Sequence, residues 1–129
     1  MTRLMALLTI SFITIAPSHA QQMNEPDSPC AGVGGTSDAV ACLWKAGAAS
    51  EAKMNSLYEK IKGKLDAGEV GQLTKTQNLW TKYREANCSA ERSLYGLGTA
   101  NSPAYLACLE AMTRERTREL QISYAVRLK

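Results

Sequence analysis

The stretch Leu43-Trp44-Lys45-Ala46-Gly47-Ala48-Ala49-Ser50-Glu51-Ala52-Lys53-Met54-Asn55-Ser56-Leu57-Tyr58-Glu59-Lys60-Ile61-Lys62-Gly63-Lys64-Leu65 decides the fold. Within it Leu43, Ala46, Ser50, Met54, Leu57, Ile61 and Leu65 recur at steps of three or four, the period of one helix face. Ser50 is the one polar member, small enough for a close helix contact. Upstream, Thr36 or Ser37 can cap the helix by accepting a free backbone N–H, and Asp38 suits the positive end of its dipole. The stripe carries this first helix to about Asp66. Gly68, which tolerates the left-handed conformation, is the expected stop, and Glu69 opens the next helix.

The second helix is expected to reach about Tyr95, with Val70, Leu73, Trp80, Tyr83, Ala90 and Leu94 as its apolar positions, before Gly96-Leu97-Gly98 breaks it. Asn101-Ser102-Pro103 starts the third, with Ser102 as cap and Pro103 at the first helical position, where a missing N–H costs nothing. It extends through Tyr105, Leu109, Met112, Leu120 and Tyr124 to about Val126. No stretch alternates apolar and polar residues as a strand would. Three long amphipathic segments with short connections make antiparallel neighbours, so the expected fold is all-α, an up-down-up bundle of three antiparallel helices with two disulfides, occupying residues 36–129.

Residues 21–35, with Glu25-Pro26-Asp27-Ser28-Pro29 and Gly32-Val33-Gly34-Gly35, are expected to be an irregular lead-in. Residues 1–20 read as a signal peptide: Arg3, an apolar run from Leu4 to Ala16, then Ser18-His19-Ala20 as the cleavage site. The apolar run is shorter than the ~20 residues a membrane-spanning helix needs. The mature product is expected to be periplasmic or secreted after cleavage near Ala20. Cleavage removes Phe12 and His19, the single Phe and single His of the chain. Histidine catalysis and histidine metal sites are thereby excluded from the mature form.

All four cysteines, Cys30, Cys42, Cys88 and Cys108, lie in the mature part, and an even count behind a signal peptide reads as two disulfides formed in an oxidising compartment. A zinc site would want a Cys-x-x-Cys pair or histidines, and neither is present. No lipobox precedes Cys30, whose neighbours are Asp27-Ser28-Pro29, so no membrane anchor is expected. Antiparallel packing brings Cys42, Cys88 and Cys108 to one end of the bundle with Cys30 above them. Of the three possible pairings, Cys30 with Cys88 and Cys42 with Cys108 is preferred, because the second bridge would staple the first helix to the third.

The chain has 15 basic and 12 acidic side chains, and loss of Arg3 lowers the net charge from +3 to +2, too near neutral for a nucleic-acid footprint. The charge is uneven: residues 21–70 carry 5 basic and 7 acidic groups, residues 71–129 carry 9 and 5. An enzyme is not expected. Without histidine or a free thiol, a nucleophile would need Ser, Thr or Tyr beside a Lys or carboxylate base, and no segment assembles one. No carboxylate pair is marked for glycoside hydrolysis either. No cofactor or metal is expected.

On the second helix Leu73, Gln77, Trp80, Arg84 and Cys88 share a stripe; on the third, Tyr105, Leu109, Met112, Arg116 and Leu120 do. Polar groups on an inward stripe must be paired, since an unpaired buried charge costs several kcal/mol. Glu51 lies nine residues below Cys42 and Arg116 eight below Cys108, so the two are nearly level. Glu51 is therefore expected to pair with Arg116 or Arg84, with Asn55 and Gln77 completing a polar layer. The layer is either a buried network that sets helix register, the favoured reading, or a recognition site. Tyr58 and Tyr83 are expected in the core, and Trp44, on the flank of the first helix, is a candidate for the surface.

Cys30 and Cys42 with eleven residues between, then Glu51-Ala52-Lys53-Met54-Asn55-Ser56-Leu57-Tyr58, then Gln77-x-x-Trp80-x-x-Tyr83-Arg84-x-x-x-Cys88, then Cys108 followed by Arg116 and Glu119-Leu120, together resemble the lysozyme-inhibitor LprI N-terminal domain family. The resemblance covers about Cys30 to Leu120; Met54 stands where the family usually has leucine and Glu51 where it commonly has aspartate. The family is named from a mycobacterial lipoprotein that inhibits lysozyme. The resemblance implies a secreted periplasmic binding protein whose partner is a protein, a lysozyme-type hydrolase or another envelope muramidase. The alternative is a non-enzymatic structural or interaction module of the bacterial envelope or secretion machinery. Glu51, Asn55, Tyr58, Gln77, Trp80, Arg84 and Arg116 are the candidate binding residues. A strongly cationic lysozyme would favour an acidic surface, which here must come from the first half of the chain.

Overall fold

The apolar stripe of Leu43, Met54 and Ile61 is buried along a helix, α1, that spans Thr36–Lys62. A computed structural model describes residues 22–129, and the signal peptide expected over 1–20 lies outside the described residues. The N-cap of α1 is Gly35, at φ 83°, with no side-chain cap, so Thr36 and Ser37 are already inside the helix and neither performs the expected capping. The helix ends at Lys62, short of Asp66, with Gly63 as its C-cap.

Gly68 is not the stop. The Asp66 carboxylate accepts the Glu69 N–H at 2.8 Å, and the Glu69 carboxylate accepts the Asp66 N–H at 3.0 Å. This reciprocal capping box starts α2, Ala67–Ser93, and places Gly68 in its first turn. Asp66→Ala is expected to lower stability by about 1 kcal/mol, read as a lower urea midpoint at unchanged slope.

The third helix, α3, spans Asn101–Ser123 with Ala100 as its N-cap. Ser102 is therefore not the cap, and Pro103 is the third helical residue, still among the N–H groups that have no partner within the helix. Tyr124 interrupts the helix before a short α4, Ala125–Leu128, where the sequence pattern had one continuous helix to about Val126. Tyr124 and Leu128 fold back onto the apolar cluster of Met54, Ile61, Leu73 and Leu120. At the opposite end Leu43, Ala107 and Cys30 form a second cluster, joined by Met23, Ala46 and Leu106.

These two clusters fix the topology. Leu43 meets Ala107 and Ile61 meets Leu120, so α1 and α3 run in the same direction, with α2 antiparallel between them in sequence. The bundle is all-helical and up-down-up, as expected, with no strand among the described residues. The central helix is α3, packed on both α1 and α2. It can serve two neighbours because much of its buried surface is small or short: Ala104, Ala107, Thr113 and Thr117. No helix among the described residues is long and apolar enough to cross a membrane.

The disulfides join Cys30 to Cys42 and Cys88 to Cys108. The preferred pairing of Cys30 with Cys88 and Cys42 with Cys108 does not form. All four cysteines do gather at one end, but the level along the bundle is only half of the geometry. On α3, Ala107 packs with the Leu43 of α1, while Cys108, about 100° further round, meets α2. Cys30 is held above α1 because hydrogen-bonded turns brace much of the chain between residues 22 and 33. A 3₁₀ turn at Gln22–Asn24 is followed by bonds from the Ser28 N–H to the Glu25 carbonyl and from the Ala31 N–H to the Ser28 carbonyl. Asp27 then anchors this segment to Arg114 of α3 at 2.7 Å.

Candidate functional site

Between the two apolar clusters lies a polar layer built on Trp80. The guanidinium carbons of Arg84 and Arg116 stand 5.1 and 5.7 Å from its ring centroid, within cation–π range. Arg116 Nε donates to the Gln77 side-chain oxygen at 3.1 Å, and Arg116 Nη1 pairs with Glu119 at 2.8 Å. The Gln77 amide in turn donates to the Met54 sulfur. Arg84 donates to the Thr113 hydroxyl at 2.7 Å and reaches Glu51 at 3.4 Å. Gln77 and Arg116 are both only 9% exposed, so this half of the motif is enclosed and sets the register of α2 against α3.

The layer lacks one expected member. Glu51 does pair with an arginine, Arg84. Asn55, however, is exposed and does not complete the layer. Tyr83 is 61% exposed and not in the core: three residues on from Trp80, it lies about 60° round α2, on a flank left open to solvent. Tyr58 is half-buried against the lower cluster, and its hydroxyl donates to Thr74 at 3.1 Å, a bond between α1 and α2. Glu110, which sequence reasoning missed, is 3% exposed and is held by the Ser50 hydroxyl at 2.9 Å and by Arg114 at 3.3 Å. Its signal was Ser50, the lone polar residue in the α1 stripe, which needed a partner.

Arg84 and Glu51 also belong to an open groove at the cysteine end. Leu43, Trp44, Gly47, Ala48 and Glu51 of α1 form one wall, Leu106, Leu109 and Thr113 of α3 form the floor, and Arg84 of α2 closes the lower end. Its volume is about 230 Å³. Trp44, 68% exposed, stands at its side. The space exists because Gly47 and Ala48 carry almost no side chain: a Cβ on Gly47 would meet nothing within 4 Å. The floor is apolar at Leu106 and Leu109 and polar at Thr113, next to the ion pair that closes the end. The Arg84 Nε is buried there without a hydrogen-bond partner.

Fold and site together define a small cystine-stapled three-helix protein that buries Gln77 and Arg116 of the motif and carries an open groove at its stapled end. The chain belongs to the lysozyme inhibitor LprI family, whose model, Lysozyme inhibitor LprI, matches residues 29–120. It is similar to an uncharacterized protein of Rhizobium meliloti (strain 1021), with 28% identity over 127 residues, covering 88% of this chain and 89% of that one. No solved structure matches it.

Proposed function

We propose that the chain is exported, folds in the periplasm and inhibits a lysozyme or another envelope muramidase by binding it, not by chemistry. The family match over residues 29–120 carries this reading. The proposed contact surface is the stapled end, where Trp44 and the groove beside it are open, rather than the buried Gln77 and Arg116 and the half-buried Trp80. An exposed tryptophan next to a small apolar recess is the kind of feature that dominates binding energy at protein interfaces. Three carboxylates of the first half, Asp27, Glu51 and Glu69, pair with Arg114, Arg84 and Arg127 of the second, so part of the second half's basic excess is offset locally. Pairing leaves the net charge unchanged, but it takes three arginines from any basic face that the alternative, an interaction module, would use.

The test is a lytic assay with several lysozyme types. Mature protein is expected to titrate the activity of at least one of them stoichiometrically, and Trp44→Ala to weaken the inhibition about tenfold. No loss of lysis at a large excess over every type would reject the reading.

A further inference from the structure

The segment between α2 and α3 is a braced, uncharged protrusion. Leu97 is 108% exposed and Leu94 76%, and no charged residue occurs from Ser93 to Ala100. The backbone is nonetheless tightly held. Successive turns run from the Gly96 N–H to the Ser93 carbonyl at 3.2 Å, the Gly98 N–H to the Tyr95 carbonyl at 2.9 Å and the Asn101 N–H to the Gly98 carbonyl at 3.1 Å. The Asn101 amide donates to the carbonyls of Gly96 and Arg92, and its oxygen accepts from Arg92 Nε. Gly96 lies at φ +52°, a conformation that favours glycine, and a Cβ on Gly98 would stand a tight 3.0 Å from the Tyr95 carbonyl oxygen, so the turn suits a glycine at both places.

The stems are fixed as well. Cys88–Cys108 bridges them. The Arg92 guanidinium lies over the Tyr105 ring, and the Tyr105 hydroxyl donates to Glu85 at 2.6 Å. That bond to a carboxylate pushes the tyrosine pKa up from its ordinary value, so it stays a donor. A fully exposed leucine held so firmly has no purpose in the core of this chain. Preorganised apolar tips bind with little ordering cost, and an uncharged tip desolvates no ion on entering a cleft.

We propose that the loop Leu94–Ala100 is the element that enters the partner, with Leu97 seated in the glycan-binding cleft of the muramidase. The proposal rests on the inhibitor reading above and specifies its contact. A muramidase holds an extended sugar chain in a cleft, a concave site that a narrow, uncharged tip can enter. The groove beside Trp44 is concave and cannot enter such a cleft, whereas this loop can.

The experiment measures binding to, and inhibition of, a lysozyme that the wild-type protein inhibits, with Leu97→Asp, Asn101→Ala and an N-acetylglucosamine oligomer as competitor. Leu97→Asp is expected to weaken inhibition at least about 30-fold with an unchanged thermal midpoint, since the side chain touches no core. Asn101→Ala, which loosens the loop without altering its tip, is expected to weaken it about tenfold. The oligomer is expected to compete with the protein. Unchanged inhibition by Leu97→Asp overturns the proposal, and so does simultaneous binding of oligomer and protein. If the wild-type protein inhibits no muramidase, the parent reading fails first and the loop assignment with it; if Trp44→Ala alone abolishes inhibition, the inhibitor reading stands and the loop assignment falls.

Discussion

Replacing Cys88 and Cys108 together by alanine is expected to lower the unfolding free energy by about 3 kcal/mol, and by more than the same change at Cys30 and Cys42. The bridges close loops of different length, with sequence separations of 20 and 12, and the longer loop restricts the unfolded chain more. Packing adds to the difference. Cys88 and Cys108 are 0% exposed, between α2 and α3 and against the Met112 sulfur, while Cys42 is only half-buried. The shorter bridge ties the lead-in to α1; the longer one joins two packed helices. Urea unfolding of the two double variants reads the result directly, and an equal or smaller loss from the Cys88 and Cys108 pair would contradict the account. The same variant is expected to lose inhibition beyond its loss of fold, because the stems of the Leu94–Ala100 loop are no longer joined.

Arg116→Ala is the second large effect, about 3 kcal/mol. It removes a buried guanidinium that bonds Gln77, pairs with Glu119 and stacks on Trp80. The Gln77 oxygen is left without its donor, in a layer that is 9% exposed at both residues, and the vacated space adds a cavity term. Glu119→Ala serves as the control. Its carboxylate is 57% exposed, so losing the ion pair alone is expected to cost less than about 1 kcal/mol. The two together separate the hydrogen-bonded framework from the surface pair. Folded Arg116→Ala, assayed below its melting temperature, is expected to inhibit within about twofold of wild type, since distant sites act independently. A large loss of inhibition at full folding would make Arg116 a contact residue instead.

The helix count, the order of directions and the gathering of cysteines at one end were legible in the periodicity, because spacing along a helix reports level. Azimuth was less legible. Cys108 and Ala107 are neighbours in sequence yet face different helices, and this is why the expected pairing of Cys42 with Cys108 failed. The burial pattern of α3 was also hidden. A search for apolar stripes finds Leu109 and Met112, but the surface pressed against two neighbours is made of Ala104, Ala107, Thr113 and Thr117, with Glu110 among them. Central helices that must be approached closely from two sides favour small residues, which carry little hydropathy signal. The polar layer was half readable: Glu51 with Arg84 and the enclosure of Arg116 followed from level and stripe, while the exposure of Asn55 and Tyr83 depended on which sides of α1 and α2 lack a neighbour. The capping box of Asp66 and Glu69 was present in the sequence and outweighs the glycine two residues further on.

The order of the bridges along the chain has a consequence for how the protein matures. Each cysteine is bonded to the next one in sequence, and neither loop contains the other. A polypeptide threaded N-terminus first into an oxidising compartment presents Cys30 and Cys42 before Cys88 and Cys108 have arrived. In the periplasm proposed above, an oxidase that joins thiols strictly in order of arrival is therefore expected to make both native bonds at the first attempt, without an enzyme that rearranges wrong pairs.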